Sequence, residues 1–166
     1  LGLGSNVGDR EANLRNALGF LSRTITIETT SSLYDTKPWG YEDQPRFLNT
    51  VCLGRTSLSP RHLLDEIKSV EGRIGRELTF PGGPRLIDVD ILFYGRKIVR
   101  EKGLEIPHPR LEERAFVLVP LAEIAPDWVH PLMNINVATI LRRLAGTDEV
   151  VEGVDLWAAP IFVEGL

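Results

Sequence analysis

Between residues 83 and 94 the chain reads Gly-Pro-Arg-Leu-Ile-Asp-Val-Asp-Ile-Leu-Phe-Tyr, and no other stretch restricts the fold as strongly. A glycine–proline turn delivers an arginine into an apolar run that carries two carboxylates. Side chains of a strand alternate between its faces. Asp88 and Asp90 therefore leave one face, while Ile87, Val89 and Ile91 take the other and form core. Two neighbouring carboxylates repel each other and gain nothing from burial. A cation beside them removes that penalty, and hard oxygen ligands suit Mg²⁺. Arg85 stands where a guanidinium could hold a phosphate oxygen by two hydrogen bonds. A bare D-x-D is short and common, and an edge strand with a wet acidic face would account for it. The apolar residues on both sides argue for a central strand and for a Mg–phosphate site.

The rest of the chain supplies a frame for that strand. Residues 1–4 read as the stub of a strand, and the opening Leu1, without methionine, implies that this first strand is cut short. After the turn 4–8, Asp9 is placed to cap a helix carrying Leu14, Leu18 and Leu21 at helical spacing. Residues 24–34 alternate as a strand, with Ile25, Ile27 and Leu33 on one face. Residues 35–45 hold Pro38, Gly40 and Pro45 and form a loop. Residues 46–54 return as a strand with Phe47, Asn49, Val51 and Leu53 on one face. Ser59-Pro60 starts a second helix, lined by Leu63, Ile67, Val70 and Ile74. A second loop, 77–84, leads into the aspartate strand.

This β-α-β-β-α-β order predicts an α+β fold of the ferredoxin-like kind, with both helices on one face of an antiparallel sheet. Val51 and Leu53 then need cover on the open face, and additional C-terminal helices near 111–123 and 137–144 can supply it. The whole chain, 1–166, reads as a single domain, with 145–166 an unplaced tail.

Composition narrows the function classes. With 166 residues, 43% apolar and 25% charged, the chain can bury a full core. A net charge of -4 gives no nucleic-acid footprint, and the local cluster Arg73, Arg76 and Arg85 would serve a small anionic substrate. The single Cys52 reads as a small core residue and is compatible with a reducing cytoplasm. No apolar run reaches membrane-spanning length.

Further residues invite chemical readings. Glu71 falls on the apolar face of its helix. Either it reaches solvent near the helix end, or it orders a polar centre near Arg76 or Arg85. Phe47 beside Asn49 pairs an apolar ring with an amide that could read a lactam edge, although core phenylalanine is the simpler reading. Phe116 taken alone also reads as core. His108, between Pro107 and Pro109, is a phosphate donor or a structural loop residue. Trp39 is a loop anchor or a mobile lid aromatic.

Together these pieces resemble the 6-hydroxymethyl-7,8-dihydropterin pyrophosphokinase family. The resemblance rests on Leu3-Gly4-Ser5-Asn6, Thr36-x-Pro38-x-Gly40, Gln44-Pro45-x-Phe47-Leu48-Asn49 and Gly83-Pro84-Arg85-x-x-Asp88-Val89-Asp90-Ile91-Leu92. Ile106-Pro107-His108-Pro109 and Arg114-x-Phe116 complete it. It implies transfer of the β,γ-pyrophosphoryl group of ATP to a pterin hydroxymethyl oxygen, with release of AMP. Asp88 and Asp90 would hold two Mg²⁺ ions. Phe47 and Phe116 would sandwich the pterin, and Asn49, Thr36, Pro38 and Trp39 would line its polar edge. Arg76, Arg85 and His108 would contact the nucleotide phosphates, Arg114 would also bind the nucleotide, and Leu64, Lys68 and Ile91 would form the nucleotide pocket. The implied protein is cytoplasmic and monomeric, with small-molecule substrates and neither nucleic acid nor membrane as partner. Two positions depart from the family pattern: Leu78 stands where a second arginine is common, and Gly82 where a tryptophan is common.

Two other classes would share parts of this pattern. A different Mg-dependent phosphoryl or nucleotidyl transferase would keep the aspartates and lack the Phe47/Asn49/Phe116 site. A non-catalytic ferredoxin-like module that binds RNA or a ligand would call for basic, aromatic strands, which the acidic 88–90 segment opposes.

Overall fold

In the computed structural model, which describes residues 1–75, 80, 82–145 and 155–160, the predicted order of elements holds. Strand β1 (Gly2–Ser5) leads into helix α1 (Arg10–Leu21), then β2 (Thr26–Thr30), β3 (Ser32–Thr36), β4 (Phe47–Arg55), α2 (Pro60–Ile74) and β5 (Asp88–Asp90). Both helix starts carry the side-chain caps that their sequences predict. Asp9 accepts the Ala12 N–H at 3.0 Å. Ser59 caps α2 with Pro60 in its first turn, and Gly75 ends α2 with a left-handed φ of 95°, a conformation that favours glycine. Arg76 and Leu78, like half of the 77–84 loop and most of the 145–166 tail, lie outside the described residues.

The main sheet is antiparallel at every pairing, in the order β5-β1-β4-β3, with β2 also paired to β4. Its two faces differ. One carries Leu3, Leu48 and Val89, packed with Leu14, Leu18 and Ile67 of the helices. Behind the other face sits a second core, in which Val51 and Leu92 meet α3 (Ala115–Ile124) and α4 (Val137–Ala145). These helices are the predicted cover. It stops short of the β1–β5 half of the sheet, and the cleft opens there.

Two sequence expectations need correction, and two elements were not predicted. The aspartate strand is an edge strand: β5 pairs with β1 alone among the described residues. The flanking apolar residues mislead because they are buried by packing above and below the sheet. Ile87 and Ile91 belong to the helix-side core and Leu92 to the other. The 24–34 strand is broken at Ser31, whose hydroxyl bonds the Thr50 hydroxyl at 3.0 Å and the Val51 N–H at 2.9 Å. The tail contributes a strand, β8 (Asp155–Pro160), paired antiparallel with β3. A short hairpin, β6 (Val99–Glu101) with β7 (Leu104–Ile106), also escaped the sequence reading.

Candidate active site

The register of the sheet sets the site. Gly4 lies between Asp88 on one side and Asn49 on the other, and Gly2 lies between Asp90 and Val51. Each row thus runs from a carboxylate, across a residue without a side chain, to a residue of β4. A Cβ at Gly4 would come within 2.7 Å of Asn49 Oδ1 and 3.6 Å of the Phe47 ring. The glycine makes room for the amide, which is buried and donates to Thr36 Oγ1 at 2.7 Å.

A cleft of about 600 Å³ opens over these rows. Its floor holds Asp88, Asp90 and Asn49. Its walls come from Phe47, from Thr36 at the end of β3 and Trp39 of the loop that follows, and from His108, Arg114 and Phe116. Lys68 and Arg85 also face it. Of the residues proposed from sequence, Pro38, Leu64 and Ile91 do not line the cleft; Ile91 packs in the helix-side core and Leu64 against it. Sequence reasoning passed over Lys37, Tyr41, Gln44 and Arg110, all of which line the cleft. Position alone could have flagged Arg110, two residues after His108.

Each aspartate is matched by a guanidinium. Arg85 Nη1 donates to Asp88 Oδ2 at 2.7 Å. Arg114 Nη1 donates to Asp90 Oδ2 at 3.1 Å. Arg114 is buried, and its Nε has no hydrogen-bond partner among the described residues. The Arg114 guanidinium lies 5.7 Å from the Phe116 ring centre and 5.3 Å from that of Trp39, both cation–π distances. His108 Nδ1 accepts the Arg110 N–H at 3.2 Å, and its Nε2 lies 3.7 Å from Asp90 Oδ2 and 3.4 Å from Arg114 Nη1. Burial pushes the His108 imidazolium below its usual range, and Arg114 and Arg110 add to this against the pull of Asp90. Free of ligand, the ring is neutral near pH 7.

Glu71 does not reach solvent near the helix end. It is 2% exposed, and it accepts the Val89 N–H at 2.9 Å and the Lys68 ammonium at 2.9 Å. It therefore grips the strand between the two aspartates from behind.

The loop after β3 is tied to the segment before β5. Gln44 Nε2 donates to the carbonyls of Tyr41 (2.7 Å) and Gly82 (2.9 Å), and Gln44 Oε1 accepts from Asn6 Nδ2 at 3.0 Å. Tyr41 and Phe80 meet edge to face, 5.1 Å between ring centres.

Paired carboxylates with arginine partners, beside an aromatic and an amide, suit a transferase that moves a charged group onto a flat polar acceptor. Comparison with known proteins agrees on that class. A pyrophosphokinase of Aquifex aeolicus, the 2-amino-4-hydroxy-6-hydroxymethyldihydropteridine enzyme, is 48% identical over 132 residues, covering 80% of this chain and 82% of that protein. The folic acid synthesis protein fol1 of Pneumocystis carinii is 44% identical over 149 residues, 89% of this chain but only 20% of that longer protein. A crystal structure of Plasmodium falciparum HPPK-DHPS with pterin and p-hydroxybenzoate superposes with a TM-score of 0.70 over 87% of this chain and 41% of that one; at 18% identity it speaks for the fold alone. The family model for 7,8-dihydro-6-hydroxymethylpterin-pyrophosphokinase matches residues 1–126. The chain belongs to that family, and it is a transferase enzyme with pyrophosphokinase activity in folate synthesis.

Proposed function

We propose that this chain, as one ferredoxin-like domain spanning 1–166, transfers the β,γ-pyrophosphoryl group of ATP to the hydroxymethyl oxygen of 6-hydroxymethyl-7,8-dihydropterin. The observation that supports the reading is the row Asp88–Gly4–Asn49, in which a carboxylate able to hold a divalent cation and an amide able to match a lactam edge share one floor. The hydroxymethyl oxygen attacks the β-phosphorus, and the bond from that phosphorus to the α-phosphate bridging oxygen breaks. AMP leaves with the electron pair, and the hydroxyl proton passes to solvent.

The residues fit a hard divalent cation. Asp88 and Asp90 offer carboxylate oxygens on one strand face at the cleft, and Mg²⁺ is commonly held by one or two carboxylates together with substrate phosphates. Two Mg²⁺ ions bound there would neutralise phosphate charge. The chain's own groups do the rest. Phe47 and Phe116 stack on the pterin. Asn49, fixed by Thr36, reads its polar edge with backbone groups near Pro38 and Trp39. Arg85, Arg114, His108 and Arg76 bind the triphosphate, with Lys68 toward the nucleoside. Such charge neutralisation and positioning carry most of the catalysis in phosphoryl transfer, and no protein nucleophile is required. The protein acts as a cytoplasmic monomer on small molecules, without nucleic acid or membrane. No helix among the described residues is long and apolar enough to cross a membrane.

Incubation with ATP, Mg²⁺ and the hydroxymethyl pterin, followed for AMP, tests the reading. Pterin-dependent AMP supports it. ATP turnover without pterin dependence points to another transferase, and no turnover to a binding module.

A further inference from the structure

Charge in the cleft is balanced group by group, with two exceptions. Arg85 is paired with Asp88, Arg114 with Asp90, and Lys68 with Glu71. Lys37 and Arg110 also line the cleft, and among the described residues neither has a carboxylate partner. Both residues are exposed, and Lys37 is a compact charge with no hydrogen bond or ion pair holding its ammonium among the described residues. Arg110 differs because it is held: its guanidinium lies 5.0 Å from the Trp39 ring centre, and its backbone N–H is fixed on His108 Nδ1. A guanidinium over an aromatic face keeps its in-plane N–H groups available, and a planar fork matches phosphate oxygens better than any other side chain.

We propose that Arg110 is a further polyphosphate-binding residue, presented to the cleft by Trp39. The inference rests on the reading of this site as a nucleotide triphosphate site. Cations already matched to carboxylates contribute less to an arriving anion than one with no such partner. Trp39 belongs to the loop after β3 and touches both guanidinia, Arg110 and Arg114. The position of that loop and the aim of the two arginines are therefore set together. A phosphate that orders Arg110 orders Trp39 with it.

The test is calorimetric binding of inorganic tripolyphosphate and of a non-hydrolysable ATP analogue, each with Mg²⁺, to wild type, Arg110→Gln and Arg110→Lys. Arg110→Gln is expected to weaken both ligands by about tenfold, the scale of one charge-assisted contact at a partly open site. Arg110→Lys should recover part of the loss, and pterin affinity should stay within about twofold. Trp39→Leu should reproduce part of the Arg110→Gln defect, and the two losses should not add in the double variant. Equal affinities of wild type and Arg110→Gln for both ligands would overturn the proposal, as would additive losses for its Trp39 component. Because binding is read without turnover, a chain that binds tripolyphosphate through Arg110 yet makes no pterin-dependent AMP would sink the functional reading and leave this one standing.

Discussion

The carboxylate of Glu71 accepts the N–H of Val89 at 2.9 Å, and Val89 is the residue between the two aspartates. An edge strand exposes every second N–H on its outer side. Here one such group is turned inward and bonded to a buried side chain of α2. The aspartates therefore sit on a strand fixed from both edges, by β1 on one side and by Glu71 on the other.

That bond sets the first expectation. Glu71→Ala leaves a buried N–H without this partner and should destabilise the protein by about 2–4 kcal/mol. Glu71→Gln keeps an acceptor and should cost about half as much. Urea unfolding at unchanged m-value would measure both. A Glu71→Ala midpoint equal to wild type would show that β5 holds its place without the carboxylate.

Asp88→Ala and Asp90→Ala should remove most turnover while leaving the fold intact. Both carboxylates are partly exposed, so loss of the Asp88 pair should shift stability by no more than about 1 kcal/mol, while loss of Asp90, the partner of the buried Arg114, should cost more. Steady-state AMP release in Mg²⁺ beside thermal unfolding separates the two effects. Near-normal activity of either variant would refute the acidic pair as the charge-neutralising site.

Phe47→Ala and Phe116→Ala are each expected to weaken pterin binding by about 1–3 kcal/mol, through lost stacking area. Asn49→Ala should cost at least as much, because a polar edge would be left unmatched. Titration with the pterin decides this. Unchanged affinity in both aromatic variants would mean that the rings only pack.

Stability should fall in mildly acidic solution. Burial lowers the pKa of His130, whose Nδ1 accepts the N–H groups of Leu132 and Met133, both at 3.2 Å. A proton on that nitrogen would break both bonds. The unfolded chain thus takes up the proton first, so stability is full above the ordinary histidine range near 6.5 and declines as pH drops through it. His108 acts in the same direction. His130→Asn can still offer an acceptor and should flatten part of the slope of the urea midpoint between pH 7.5 and 5.5. An unchanged slope would remove His130 from the account.

The loop between β3 and β4 and the segment around Gly82 should slow their amide exchange together when ATP analogue and pterin are both bound, and only partly with either alone. Gln44→Ala should speed exchange in both segments of the free protein, because Gln44 spans them. Equal protection with and without ligands would mean a preformed site.

Much of this was legible in the chain because local signals agreed with one another. Asp9 and Ser59-Pro60 announce helices that do begin there, and Leu14, Ile67 and Val89 fall on the faces their periods assign. What escaped depends on contacts far apart in sequence. Nothing near residue 71 says that its carboxylate will meet Val89. The apolar run 91–93 looks the same whether neighbouring strands or covering helices bury it, so an edge was taken for a centre. Three-residue strands such as β6 and β7 are too short to show a period. Arg110 is one arginine among many until the loop bearing Trp39 arrives over it.

Gly4 touches the acceptor site only by what it lacks. A methyl group there would collide with the Asn49 amide, so the orientation of the residue proposed to read the pterin is encoded one strand away, as an absence. A screen for altered acceptors that varies only the cleft's side chains would never sample this determinant. Gly4→Ala should turn the amide without changing a single polar group in the cleft, and an altered order of preference among pterin analogues, with ATP affinity unchanged, would be its signature.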